Sequence, residues 1–386
     1  MASKLPEVGT TIFTIMSRRA SELDALNLGQ GFPDYDIDPR LTELVSAAMA
    51  AGHNQYAPME GVPLLRERIA AKLHGSYGIR VDPQSEITVT LGATEALYSA
   101  IQAMLGAGEE AIAFDPAYDS YEPAVRLAGG RCVRLPLMQP GFRYDWDRVR
   151  QAVSRRTRLV LFNSPHNPAC TTAAAADLDA LAALAAEHDL VVISDEVYEH
   201  VVFDGARHLS VLTHPGLRPR SFAVFSFGKT LHATGLRVGY CVAPAPLTHE
   251  LRKVHQFNTF SISHPLQHAI AAYLDERPDC GSGLADFFQA KRDRLRRALG
   301  ASAFRLPPAQ GTYFQLLDFS ACAAPDDLAF AEALLTGARV ATIPLSPFYA
   351  VREPLPFVRL CIAKRDSTLD EAAARLNGFA ARAAAG

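Results

Sequence analysis

Lys229 stands in an unusual setting. The stretch Ser226-Phe-Gly-Lys-Thr-Leu-His-Ala-Thr-Gly-Leu-Arg-Val-Gly-Tyr240 follows an apolar run, Phe222, Ala223, Val224 and Phe225, that reads as a short buried strand. A lysine at the end of such a strand, flanked by glycines, sits where a backbone approaches a ligand closely. Buried lysines lose their proton readily, which suits them to imine chemistry. The plain alternative is a helix-capping loop that holds a lysine. Asp195-Glu-Val-Tyr198 adds a carboxylate and a phenol from one loop. A carboxylate in a dry site needs a cation or a proton beside it; the plain alternative is an acid favoured at a helix N-terminus. Gly92-Ala-Thr-Glu opens a helix directly after a strand, and backbone N–H groups with a hydroxyl there form an anion cradle. With Ala93 and Thr94, Ser226 and Arg237 complete a phosphate site. Tyr118, just past another strand, can stack on an aromatic ring. Arg359 lies in the apolar run Phe357-Val-Arg-Leu-Cys-Ile362 and needs an anion, for which a ligand carboxylate and an internal salt bridge stand even. His166 and His232 sit in loops beside prolines or glycines and read as structural.

A lysine that forms an imine, opposed by an aspartate on a pyridinium nitrogen, is the pattern of a pyridoxal phosphate site. In that pattern Tyr198 and Asn167 hold the ring's 3-oxygen.

The elements that must position these residues follow from periodicity. Residues 1 to about 40 read as an arm and a strand, with helices over about 41–51 and 62–77. Strands at 87–90, 111–114, 158–162, 190–194 and 222–225 then alternate with loops and helices, which predicts an α/β sheet covered on both faces. Each polar cluster falls just past the carboxyl end of a strand, the edge where open α/β sheets bind ligands. Later helices are expected over about 247–257, 264–277 and 282–299, the last with a solvated basic face. Strands at 312–317, 340–343 and 357–362 suggest a smaller α+β unit, and Ser367-Thr-Leu-Asp370 a capping box that starts a final helix.

The chain has 386 residues, enough for roughly two domains. These are expected at 41–277 for the large unit, and at 1–40 together with 278–386 for the small one. The net charge of −3 gives no reason to expect nucleic acid or an anionic membrane as partner. The six cysteines lack C-x-x-C spacing and fit reduced thiols in a cytoplasmic protein better than a disulfide framework or a zinc site; no metal is expected. The first residues lack the apolar core of a secretory signal, and no run approaches the roughly 20 apolar residues of a membrane span.

Ser226-x-x-Lys229 with Gly235-x-x-x-Gly239, Asn163-x-Pro-x-Asn-Pro168 and Ser194-Asp-Glu-Val-Tyr198 resemble the class I/II aminotransferases, fold-type I pyridoxal phosphate enzymes. Gly29-Gln-Gly-Phe-Pro-Asp, Asn54-Gln-Tyr-Ala-Pro, Phe114-Asp-Pro-x-Tyr-Asp-Ser-Tyr121 and Gly311-Thr-Tyr-Phe are similar to the methionine aminotransferase and kynurenine–oxoglutarate transaminase subgroup. The resemblance runs over nearly the whole chain. It implies an α/β fold with a mostly parallel central sheet, helices on both faces and a smaller α+β domain. It also implies roles. Lys229 binds the cofactor covalently and moves the substrate proton, Asp195 pairs with the ring nitrogen, and Asn167 and Tyr198 hold the 3-oxygen. Tyr118 stacks on the ring, while Ala93, Thr94, Ser226 and Arg237 hold the phosphate. Tyr56 reaches that phosphate from a second subunit, which implies a homodimer. Gly31, Asn167 and Arg359 meet the substrate. The expected reaction moves the amino group of methionine or another large apolar or aromatic amino acid to a 2-oxo acid, in two half-reactions. A cysteine-S-conjugate β-lyase would share the same residues. A cofactor-sensing regulator would add a DNA-binding region, and no basic helix-turn-helix precedes the fold. The segment 257–264 fits the kynurenine enzymes least well, so the side-chain pocket is not read from it.

Overall fold

Apolar runs too short for helices become strands, and here they number twelve among the described residues. In the computed structural model these are residues 3–300, 302–322, 324–352 and 354–385, with side chains to Arg382. The strands are β1 Leu26–Asn27, β2 Ile87–Thr90, β3 Glu110–Asp115, β4 Arg131–Pro136, β5 Thr157–Asn163, β6 Val191–Asp195, β7 Ser221–Ser226, β8 Gly239–Val242, β9 Phe314–Asp318, β10 Val340–Ala341, β11 Ile343–Pro344 and β12 Phe357–Cys361. A seven-stranded sheet runs in the order β2-β8-β7-β6-β5-β3-β4. Strands β3 to β7 are mutually parallel, and β8 is antiparallel to both neighbours. The carboxyl ends of β2, β3, β5, β6 and β7 therefore share one edge.

Side chains alternate across this sheet with the strand period of two. Ala111, Ala113, Leu159, Leu161, Phe222 and Val224 pack with helices Gly92–Met104 and Tyr121–Leu127 on one face. Ile112, Phe114, Val160, Phe162, Ala223 and Phe225 join the larger core on the other. With both faces covered, β2, β3, β7 and β8 are buried at every position, which is why they read as apolar runs. The second sheet, β11-β12-β9, is antiparallel and is accompanied by helices Leu284–Leu299, Asp327–Gly337 and Asp366–Ala385.

Several expectations are corrected. The first forty residues contain a helix, Ile12–Glu22, capped by the Thr11 hydroxyl, and only a two-residue strand. The β-branched residues of that helix hide it from a propensity reading. The run 340–343 is not one strand: it breaks at Thr342, and β10 pairs with β1 while β11 pairs with β12. The final helix starts at Asp366, so Ser367 and Asp370 lie inside it rather than forming a capping box. Asp370 instead receives Arg294 at 2.6 Å. The basic face of Leu284–Leu299 is not simply solvated. Lys291 and Arg292 are buried, Lys291 donating to the Lys364 carbonyl at 2.7 Å and Arg292 to Asp204 at 2.7 Å. The six cysteines are free. Among the described residues no helix is long and apolar enough to cross a membrane.

Candidate active site

Five strand ends and one strand of the smaller sheet build the site. Strand β7 ends at Ser226, and a single helical turn, Phe227–Thr230, then lifts Lys229 above the sheet edge. The Lys229 Nζ donates to the Tyr313 hydroxyl at 2.8 Å, which donates on to the Gly31 carbonyl at 2.6 Å. Burial lowers the Lys229 pKa to about 8, because an ammonium far from bulk water is disfavoured. No carboxylate forms an ion pair with it among the described residues.

Asp195 is the last residue of β6 and is buried. Burial raises its pKa to about 6. The Tyr121 hydroxyl donates to its Oδ2 at 2.7 Å. No helix follows within this loop, so the reading of Asp195-Glu196 as a helix cap fails. Glu196 turns away and accepts from the Ser194 hydroxyl at 2.9 Å and the Val211 amide at 3.0 Å.

Asn163, at the end of β5, ties its neighbours together. Its Oδ1 accepts the Asn167 amide at 2.8 Å, and its Nδ2 donates to the Asp195 carbonyl at 2.8 Å. The Asn167 Oδ1 is taken by Arg359 Nη1 at 2.6 Å, which leaves the Asn167 NH₂ as a donor. Arg359, on β12, is 1 % exposed and also donates Nη2 to the Gly29 carbonyl at 3.0 Å. Its Nε has no partner, and the Phe314 ring lies 3.8 Å from its Cζ. Arg359 forms no ion pair among the described residues, so the internal salt bridge is excluded as its partner. A buried guanidinium without an anion is costly, and a ligand carboxylate is an anion whose geometry suits its free Nε donor.

A cavity of about 110 Å³ is lined by Ala93, Thr94, Tyr118, Asn167, Asp195, Tyr198, Ser226, Lys229 and Arg237, with Leu97, Asn163 and Val197. These include every expected cofactor residue except Tyr56, which is 81 % exposed and stands against the Phe260 ring, centroids 5.4 Å apart. Gly92 opens the helix Gly92–Met104 at φ +71°. A Cβ there would lie 2.8 Å from Arg237 Nη2, so a side chain at this left-handed position would push the guanidinium tip aside. Gly31 is equally tight, its Cβ position lying 2.7 Å from the Phe314 ring. His166 is buried, with its pKa pushed down to about 3 by burial, and Nδ1 accepts from the Ala169 amide at 3.3 Å; it lies outside the cavity lining, as does His232.

Sequence reasoning overlooks Tyr121 and Tyr313. Both lie in motifs quoted above, and the available signal is that a buried tyrosine hydroxyl demands a partner. A buried lysine, a buried carboxylate and the Arg237 guanidinium beside the start of helix Gly92–Met104 face one cavity, and among the described residues none of the three forms an ion pair. That set fits a compact anionic cofactor with a basic ring nitrogen.

The parallel sheet with lysine, aspartate and arginine gathered at its carboxyl edge defines a cofactor-type group-transfer enzyme. A model of the family "Aminotransferase class I and II" matches residues 24–376, and the chain belongs to that family. It is an aminotransferase, acting on amino and oxo acids, and its family is generally dependent on pyridoxal phosphate and typically dimeric. It is 52% identical to a methionine aminotransferase of Escherichia coli over 97% of each chain. It is 39% identical to a probable N-succinyldiaminopimelate aminotransferase of Mycobacterium tuberculosis over 99% of each. It is also 32% identical to kynurenine–oxoglutarate transaminase 3 of Mus musculus, over 96% of this chain and 88% of that one. Among solved structures, an Escherichia coli protein whose structure and reactivity identify a methionine aminotransferase function superposes with a TM-score of 0.96, covering 98% and 99% of the two chains at 52% identity.

Proposed function

We propose that the chain is a pyridoxal phosphate-dependent aminotransferase that takes the amino group of methionine, or of another large apolar or aromatic amino acid, and passes it to a 2-oxo acid. The observation that carries this reading is Arg359, buried, unpaired and bonded to Asn167, which in turn lines the cavity of Lys229 and Asp195. The substrate class rests on the 52% identity to the methionine enzyme.

When bound, the cofactor supplies an electron-withdrawing ring that stabilises negative charge on the substrate α-carbon. Asp195 then gains the cation its buried carboxylate lacks. Asn167, through its free NH₂, and Tyr198 hold the ring oxygen, and Tyr118 covers the ring face. Ala93, Thr94, Ser226 and Arg237 hold the phosphate. Arg359 orients the α-carboxylate beside Gly31, with Nε as the vacant donor of a bidentate pair. Lys229, with its pKa near 8, is close enough to neutrality to take and return the α-proton at physiological pH. Tyr313 holds the amine by accepting its hydrogen bond. Tyr56 belongs to the site of a second subunit. The larger unit is 41–277, which contains the seven-stranded sheet, and the smaller is 1–40 with 278–386. The free thiols favour a cytoplasmic setting.

A panel of amino donors with several 2-oxo acids tests this, reading the amino acid and oxo acid formed. Methionine and aromatic donors are expected to exceed aspartate, and Lys229→Ala to lose turnover. A preference for aspartate would overturn the substrate class, and retained turnover in the variant would overturn the role of Lys229. Pyruvate released from a cysteine S-conjugate, with no acceptor converted, would make the enzyme a β-lyase.

A further inference from the structure

Three histidines that do not line the catalytic cavity gather in one place. His53 lies in the loop after helix Pro39–Ala50, and His264 and His268 lie one turn apart on helix His264–Glu276. Side chains four residues apart share a helix face, so two imidazoles project together, and the loop brings the third onto them. One candidate nitrogen from each lies within 4.8 Å of the other two, and all three residues are half-buried.

The hydrogen bonds fix which nitrogens are available. His264 Nδ1 lies 3.0 Å from the Gln55 carbonyl. A carbonyl only accepts, so Nδ1 carries the proton and Nε2 presents its lone pair. This is the arrangement in which metal-ligating histidines are commonly held, the second nitrogen bonded to a carbonyl or carboxylate. His268 Nε2 faces that lone pair at 3.2 Å. Two nitrogens bound to one tetrahedral zinc ion at about 2.0–2.1 Å lie about 3.3 Å apart, so the observed pair already has the spacing of a shared ion. Without an ion, the contact uses a proton on His268 Nε2; a switch of tautomer frees that nitrogen. The His53 ring lies 3.6 Å from that of His268 and nearly parallel, at 13°. Closing the third arm requires the His53 ring to turn toward the pair.

We propose that His53, His264 and His268 form a binding site for a divalent ion of the zinc class, with a solvent molecule as fourth ligand. Imidazole-only sites suit zinc, copper and nickel rather than magnesium or calcium. The ion would fasten the loop that carries His53, Gln55 and Tyr56 to helix His264–Glu276. No spacing signal reveals this site in the sequence, because its third ligand is about two hundred residues from the other two and only the fold unites them.

The test uses tag-free holoenzyme stripped with a chelator, then titrated with Co²⁺ and separately with Zn²⁺. One equivalent of Co²⁺ per chain is expected, with the visible absorption of a tetrahedral ion, displaced by Zn²⁺. A His53→Ala, His268→Ala double variant should lose that equivalent and its spectrum, while keeping the cofactor absorbance that reports folding. His264→Gln, which retains a donor for the Gln55 carbonyl, should weaken binding at least tenfold. Binding of equal stoichiometry in parent and double variant, or no stoichiometric binding by the parent, would overturn the proposal.

Discussion

Asp195 is a carboxylate held where water cannot solvate it. Its pKa is raised from 3.8 to about 6. A group whose folded pKa is raised stabilises the fold below its unfolded value and loses that contribution as pH climbs through the folded one. A pKa raised by roughly two corresponds to about 3 kcal/mol, so the cofactor-free protein carries a penalty of that order at neutral pH. Replacing Asp195 with Asn keeps an acceptor for the Tyr121 hydroxyl and removes the charge. The cofactor-free Asp195→Asn protein is therefore expected to be more stable than its parent at pH 7, by about 1–3 kcal/mol, and to match it near pH 4. Urea denaturation at several pH values checks this, and parallel profiles would show that the charge is not the cost. The loaded variant should lose most of its turnover, since the compensating ring proton has no counter-charge. At this scale the charged residues are legible from the sequence, because a lysine, an aspartate or an arginine inside an apolar run contradicts its surroundings. Tyr121 and Tyr313 contradict nothing in theirs. Their roles come from which hydroxyl the fold brings to which partner, and no local pattern encodes that.

Turns, more than strands, decide what the site can hold. The strands set a common edge, but the ligand meets the residues just beyond it. At Gly92 the backbone takes φ +71° and the Arg237 guanidinium crosses the turn, 2.8 Å from where a Cβ would be. In Gly92→Ala the new methyl both strains the left-handed backbone and displaces the arginine tip. The strain costs about 1 kcal/mol or more, and the displaced charge loosens the phosphate. Cofactor affinity should fall by roughly tenfold, which corresponds to about 1.4 kcal/mol. Titration of the cofactor-free variant, followed by the change in cofactor absorbance, measures it; unchanged affinity would remove Arg237 from the phosphate site. Buried strands and their following turns are legible, since an apolar run that ends in glycine and polar residues has few other readings. Helix Ile12–Glu22 is not, its β-branched residues favouring a strand until Thr11 is seen to cap it. The edge strand β4 is hidden for a related reason: Arg131 and Arg134 interrupt the run, and Arg134 is held by Asp115 and Glu122.

The whole molecule poses the question that a single chain answers least. Tyr56 is 81 % exposed, and it stands with Phe260, 40 % exposed, near Phe257 in sequence, 91 % exposed. Contiguous large apolar groups left in water mark surfaces that bind another protein, and the proposal that Tyr56 meets a second subunit's phosphate can be tested directly. In the fold of one chain Tyr56 does not line the cavity. Complementation separates the two arrangements. Homodimers of Lys229→Ala lack the reactive amine, and homodimers of Tyr56→Ala lack the phosphate contact. If Tyr56 acts across the interface, a mixed dimer has one site with both residues intact and one with neither. Refolding equal amounts of the two variants together should then restore activity well above the sum of the separate preparations, toward about a quarter of the parent's, since random pairing makes half of the dimers mixed and each of those has one intact site of two. If Tyr56 acts within its own chain, every site in the mixed dimer lacks one residue, and activity should not exceed the sum. The Lys229→Ala partner makes the assay stringent, because a subunit without the amine contributes turnover only by lending its tyrosine.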